Sequence, residues 1–262
     1  MAFTIDGIVI DRIQMGIAEK TDGTPLYVLT QLTDATINVS AESKEAKDAN
    51  GTLIKKFYTG KTGTFEAKNA LVDFNILAEG TGSPKKVASS SAKITMPGVK
   101  TVAVGSMETV TLKGIKTDSP ISVMGIAANG TMIKSYNKDT AAGADAYSIT
   151  GETLTLPKDT APANFVVKYE REVSAGVEVT NRTDKFPGTI KLTLKALAVD
   201  PCDPSTVRSC LIVLPSFQVS PEVSLSLTTD AQLDYKGDLQ TSYCGNEKVL
   251  YQIFMSEDDT EE

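Results

Sequence analysis

No histidine occurs anywhere in the 262 residues, and no tryptophan. The missing imidazole removes Ser-His-Asp and Cys-His catalysis, His-ligated metals and the commonest proton shuttle near neutral pH. Aromatics amount to 8 Phe and 8 Tyr, so the core has to be built from Val, Ile, Leu and Ala. Few rings are left to stack on sugars, which argues against a carbohydrate hydrolase, an activity that would also need two carboxylates about 5 to 10 Å apart in a cleft. No apolar run reaches the roughly eighteen residues that a membrane helix needs. The opening "MAFTIDGIVIDRIQMG" lacks the basic and apolar regions of a signal peptide, and the N-x-S/T matches at Asn38, Asn50, Asn129 and Asn181 are read as accidents of a Ser/Thr-rich chain. A net charge of −7 makes a poor nucleic-acid binder. It suits simple solubility, or the lining of a conduit through which a polyanion slides without sticking.

Cysteine is scarce as well: Cys202, Cys210 and Cys244 are the whole complement. Cys202 and Cys210 stand in "DPCDPSTVRSC" with seven residues between them, which fits neither zinc-ligand nor redox C-x-x-C spacing. Three states stay open: free thiols buried as small hydrophobes, a Cys202–Cys210 staple across a hairpin tip, or bonds between subunits formed after release from a reducing cytoplasm. Partial motifs are equally empty. Gly60–Thr62 ("GKT") has Lys55 where a phosphate loop needs glycine, and "GTGS" (80–83) follows a helix where a phosphate cradle would precede one. Asp230, Asp234 and Asp238 lack calcium-loop spacing and read as a solvated turn. No catalytic residue, cofactor or metal ligand is expected, and the chain is not read as an enzyme.

What is present is strand pattern from end to end, punctuated by Asn-Gly, Asp-Gly and Pro. Early strands are expected at 7–15, 26–32 and 33–40. The polar stretch 41–63, centred on Asn50-Gly51, predicts a long hairpin with a type I′ turn. It is either a flexible surface loop or an arm that orders on a neighbouring subunit. One amphipathic helix is expected over 69–79, capped by Asn69, stopped by Gly80, and apolar along Ala70, Leu71, Phe74, Leu77 and Ala78. Residues 83–93 read as a linker. A β-rich block follows, with strands at 99–104, 107–115, 120–127, 131–136, 145–149, 152–156 and 164–172, enough for a small sandwich. Longer strands return at 189–199, 209–219, 222–230 and 248–255, before the acidic "SEDDTEE".

Three stretches carry a resemblance. They are the hairpin and helix in 40–83, the strand pair "AYSITGETLTLPKDTAPANFVVKYEREV" (146–173), and 181–230 with its "TIKLTLKALAVDPCD". Together they resemble bacteriophage major tail (tail tube) proteins and related virion structural subunits. The resemblance implies an all-β fold with one short amphipathic helix, a sandwich or barrel of the tail-tube type with an additional β-rich block. Its core is expected in 1–93 and 179–256, an inserted block with Ig-like strand content in 94–178, and a disordered or solvated acidic tail in 257–262. The implied function is a homo-oligomeric virion subunit, made in the bacterial cytoplasm, whose hexameric rings stack into a tube for DNA ejection. Tape-measure and sheath proteins are its implied partners, and DNA passes without specific binding. The hairpin then becomes the inter-subunit arm, with Lys44, Lys47, Asn50, Gly51, Lys55, Lys56 and Phe57 as its contact residues. Cys202, Cys210 and Cys244 remain candidates for a disulfide or for thiols between subunits. The alternatives are another virion part (capsid, neck or decoration) and an Ig-like surface-binding module.

Overall fold

The computed structural model describes residues 7–201, 203–229, 231–241 and 248–260. They fall into two compact units, one comprising the chain up to Lys85 and again from Val179, the other Lys86–Glu178. The first unit opens with β1 (Val9–Lys20), β2 (Pro25–Leu29), β3 (Leu32–Lys47), β4 (Leu53–Asn69) and the helix α1 (Phe74–Thr81). The second holds β5 (Lys86–Val87), β6 (Ile94–Ala103), β7 (Thr109–Thr111), β8 (Ser122–Ile126) and β9 (Met132–Lys138). It continues with β10 (Ala146–Thr150), β11 (Thr153–Thr155), β12 (Asn164–Val173) and β13 (Val177–Glu178). The chain then completes the first unit with β14 (Thr189–Asp200), β15 (Asp203–Val219), β16 (Leu233–Leu239) and β17 (Gln252–Thr260). The protein is nearly all β, with one short helix.

In the first unit the sheet order is β2-β1-β14-β15-β16-β4-β3, with β17 added alongside β15. The central strand β14 explains the arrangement. Its alternation buries Ile190, Leu192, Leu194, Ala196 and Ala198 on one face. Each large aliphatic side chain so buried contributes about 1.5–3 kcal/mol. Opposite them three rings meet edge to face: Phe65–Phe217 at 5.7 Å, Phe217–Tyr235 at 5.6 Å and Phe65–Tyr235 at 6.2 Å. Gly237 lets β16 close against β15, because a Cβ there would lie 2.2 Å from the Gln218 carbonyl oxygen.

Several expectations are corrected. The helix starts at Phe74, five residues later than predicted, because Asn69 ends β4 and Asp73 is the cap. The Asp73 carboxylate accepts from the backbone N–H groups of Asn75 (2.6 Å) and Ile76 (3.3 Å). Leu71 and Phe74 consequently face outward, and Ile76 and Ala78 are the buried apolar contacts of α1. The segment 222–229, predicted as strand, joins no sheet, whereas the aspartate-bearing stretch after it forms β16. Asp234 and Asp238 sit on the outward side of β16 and Leu233, Tyr235, Gly237 and Leu239 on the buried side, a strand alternation that the aspartate spacing concealed. Asp230 lies outside the described residues. Finally, the backbone of 257–260 continues β17, with Thr260 opposite Arg208, which replaces the disordered tail that was one of the two expectations there.

Three hairpins share one turn. Gly23, Gly51 and Gly130 each donate a backbone N–H to the residue three positions earlier (Lys20, Asp48 and Ala127) at 2.9–3.0 Å. Those same residues donate to the carbonyls of Thr24, Thr52 and Thr131. Each glycine takes a left-handed φ of 84–87° while the residue before it does not. This is the three-residue loop ending in a left-handed glycine, and it replaces the type I′ turn expected at Asn50-Gly51.

The second unit has the order β6-β12-β8-β9-β10-β11-β7, antiparallel except for β9 with β10. Its own core gathers Leu112, Val123, Leu154, Phe165 and Val167, with Tyr136 and Phe165 edge to face at 5.5 Å. Its ends are joined by β5 and β13, where Lys86 is the cross-strand partner of Glu178. Part of the expected linker 83–93 is therefore strand.

Candidate assembly surface

Beyond Gly63 the β3–β4 hairpin leaves the sheet and runs on as a bare two-stranded ribbon. From Ser40 to Thr62 every residue is exposed except Ala46, which is half-buried. Eight residues per strand give a reach of about 26 Å. The register places Lys44 opposite Phe57 and Ala46 opposite Lys55 on one face, and Ser43 opposite Tyr58 and Glu45 opposite Lys56 on the other. Lys55 Nζ lies 5.2 Å from the centre of the Phe57 ring, and Lys56 Nζ lies 5.9 Å from that of Tyr58. Both faces thus carry an aromatic ring topped by a lysine, a contact worth about 0.5–1 kcal/mol at an exposed site. Lys47 pairs with Glu45 at 3.1 Å. At the tip, Asp48 accepts from the N–H groups of Asn50 (2.9 Å) and Thr52 (2.8 Å). The Thr52 bond is the main cause that holds its carboxyl below the usual range.

The structure places all seven arm residues singled out in the sequence, Lys44, Lys47, Asn50, Gly51, Lys55, Lys56 and Phe57, on this one ribbon. Leu53, Ile54 and Tyr58 join them as apolar groups left in water, Ile54 at 68% exposure and Tyr58 at 70%. The adjacent apolar pairs in "LIKKFY" mark these residues as facing both sides of a strand, but only the sheet order reveals that neither side is covered. Gly60–Thr62, the phosphate-loop fragment, is plain β4 backbone.

Other apolar surface clusters in the same unit. Ile253 and Phe254 on β17 point to opposite sides of the strand and are 54% and 49% exposed. Beside them Ile10, Ile37, Phe65, Ile212, Tyr251 and Ile253 line a cavity of about 260 Å³. Of the cysteines, Cys210 is a free thiol fully buried opposite Ala196, and its burial pushes its pKa up. It lies well inside β15, away from the hairpin tip at Pro201. Cys202 and Cys244 lie outside the described residues.

Polar clusters are few. Under α1 a cavity of about 390 Å³ is lined by Tyr27, Asn75, Glu79, Ser83 and Lys85. The hydroxyls of Tyr27 and Tyr235 lie 3.1 Å apart, and burial pushes the Glu79 carboxyl up. In the second unit the Tyr136 hydroxyl donates to Asp159 at 2.7 Å, while Lys134 pairs with Asp145 and Asp159 and lies over the Tyr136 ring. Among the described residues no group of three or more Asp, Glu or Cys is placed to hold a metal ion. No helix among them is long and apolar enough to cross a membrane.

The first unit thus leaves a two-stranded ribbon and several apolar strand residues exposed. The chain belongs to the YomU/Tube protein family, whose sequence profile matches residues 8–241. That family is one of phage tube structural proteins, which implies a virion tail component that assembles with copies of itself. A non-enzymatic role is what such a family suggests. No curated protein matches the chain.

Proposed function

We propose that the chain is the subunit of a bacteriophage tail tube, made in the host cytoplasm, whose copies close into rings, six to a ring, that stack into a conduit for DNA ejection. The observation that carries this reading is the ribbon 40–62, exposed on both faces in a member of a tube family. An isolated two-stranded hairpin is marginal in water, so a ribbon presenting Leu53, Ile54, Phe57 and Tyr58 gains by finding a neighbour. Lys44, Lys47, Asn50, Gly51, Lys55, Lys56 and Phe57 would make those contacts. Five lysines against three carboxylates make residues 40–62 cationic on a chain of net charge −7, which suits docking on the body of another copy. The acidic remainder suits a bore that lets DNA pass without specific binding. A tape-measure protein inside and a sheath outside complete the assembly. Cys202 and Cys244 are candidates for thiols between subunits, and buried Cys210 is a packing residue.

Negative-stain microscopy of the purified chain tests this reading. Rings or stacked tubes are the expected result. A monodisperse monomer at every concentration would overturn it.

A further inference from the structure

The segment 221–229, "PEVSLSLTT", has the alternation of a strand and no sheet to belong to. Val223, Leu225 and Leu227 are all exposed, Leu227 at 89% the most of any large apolar side chain among the described residues. Among those residues, positions 223–227 make no backbone hydrogen bond to another backbone group. Its N-terminal flank is nevertheless held, and a local turn closes its C-terminal end. The Ser220 N–H donates to the Lys236 carbonyl at 2.8 Å, Lys236 pairs with Glu222 at 3.0 Å, and the Ala231 N–H donates to the Thr228 carbonyl at 3.3 Å. An apolar segment tied to β16 at its start, with Val223 lying against Gly80 of α1, leaves less of its ordering cost for any later pairing step.

A matching edge exists on the same unit. β17 is paired along one side, with β15, through Gln252–Met255. Its apolar side chains Ile253 and Phe254 are half exposed, and Tyr251 and Ile253 border the apolar cavity of about 260 Å³. Both stretches are free of charge, VSLSLTT over 223–229 and VLYQIFMS over 249–256, in a chain in which 23% of residues are charged. Exposed edges that carry neither charge nor proline recruit a partner strand.

We infer that Val223–Leu227 of one copy adds as a strand to β17 of a second copy, with its leucines packing on Tyr251 and Ile253 at the mouth of that cavity. The main chain of both segments supplies the hydrogen bonds and the alternating apolar side chains supply the register. Donor and acceptor are different surfaces of one chain, so the contact is head-to-tail, the kind that generates rings and open filaments. The choice of a second copy as partner rests on the self-assembly proposed above.

Two experiments test the pairing. Leu225→Glu with Leu227→Glu removes the apolar contact at exposed positions, so the thermal midpoint should stay at the parental value while association weakens by about 100-fold or more. Should the double variant fail to fold, Leu227→Ser alone is expected to weaken association in the same direction. Separately, a chain carrying Leu227→Cys mixed with one carrying Ile253→Cys should give a cross-linked dimer under mild oxidation. That dimer should exceed the background set by the parental chain and by either variant alone. If parental chains form rings, yet the double variant forms them at the same concentration and the mixture does not cross-link, the strand addition is wrong and the tube reading stands. If parental chains form no rings at all, the tube reading falls and takes this pairing with it.

Discussion

Glu79 shows how a single side chain is placed by the fold more than by its own chemistry. It is half-buried on α1, with the Tyr27 and Tyr235 hydroxyls nearby, and desolvation alone raises its pKa. A raised folded-state pKa means that the folded protein binds the proton more tightly than the unfolded chain. The Glu79 contribution is therefore most favourable below the ordinary carboxylate range and is lost as pH rises through the elevated value. Glu79→Gln should raise the thermal midpoint at pH 7 and lose that advantage as pH falls below about 4, the ordinary glutamate value. Melting curves across pH read this directly, and a variant less stable than the parent at pH 7 would contradict it. Nothing in "LAEG" distinguishes Glu79 from a solvated helix residue. Its burial depends on β2 lying beside α1, a long-range fact.

At the scale of elements, the ribbon's turn is the place to test folding and the proposed assembly separately. Gly51 has φ 84°, and a Cβ there would meet nothing within 4 Å, so Gly51→Ala strains the backbone without a clash. The expected cost is about 1 kcal/mol, confined to the ribbon. The thermal midpoint of the body should stay put while ring formation weakens by about fivefold to tenfold, measured by sedimentation across concentrations. A falling midpoint with unchanged assembly would show that the ribbon belongs to the core instead. Strands with strong alternation, β14 and β15 above all, were legible from the sequence because one buried face repeats every second residue. The helix boundary was misplaced because Ala70 and Leu71 mimic a helical face while Asp73 supplies the better cap. The stretch 222–229 reads as strand for a sound reason, since it has every property of one except a partner within its own chain. β16 was hidden by Asp234 and Asp238, which look like loop chemistry until Tyr235 and Gly237 are seen filling the core between them.

For the whole molecule, the insertion is as telling as the core. Lys86 and Glu178 are cross-strand partners, so the chain leaves and re-enters the first unit at points about 5 Å apart. Each unit has its own apolar cluster. Replacing 86–178 by a short glycine-rich linker should leave a first unit that unfolds cooperatively and still assembles, as calorimetry and microscopy would report. A shortened chain that is insoluble or molten would refute that independence. The recurrence of strand signals made the all-β class legible, and the polar hairpin was visible as a hairpin. Which surfaces stay uncovered was not, because exposure is decided by sheet order among strands far apart in sequence. The lysines of the ribbon carry one last consequence. Their excess positive charge faces the acidic remainder of the chain, so on the proposed docking the first encounter between copies is drawn together by opposite charge. Added salt mutes that attraction, and rings should form more slowly and at higher protein concentration as ionic strength rises.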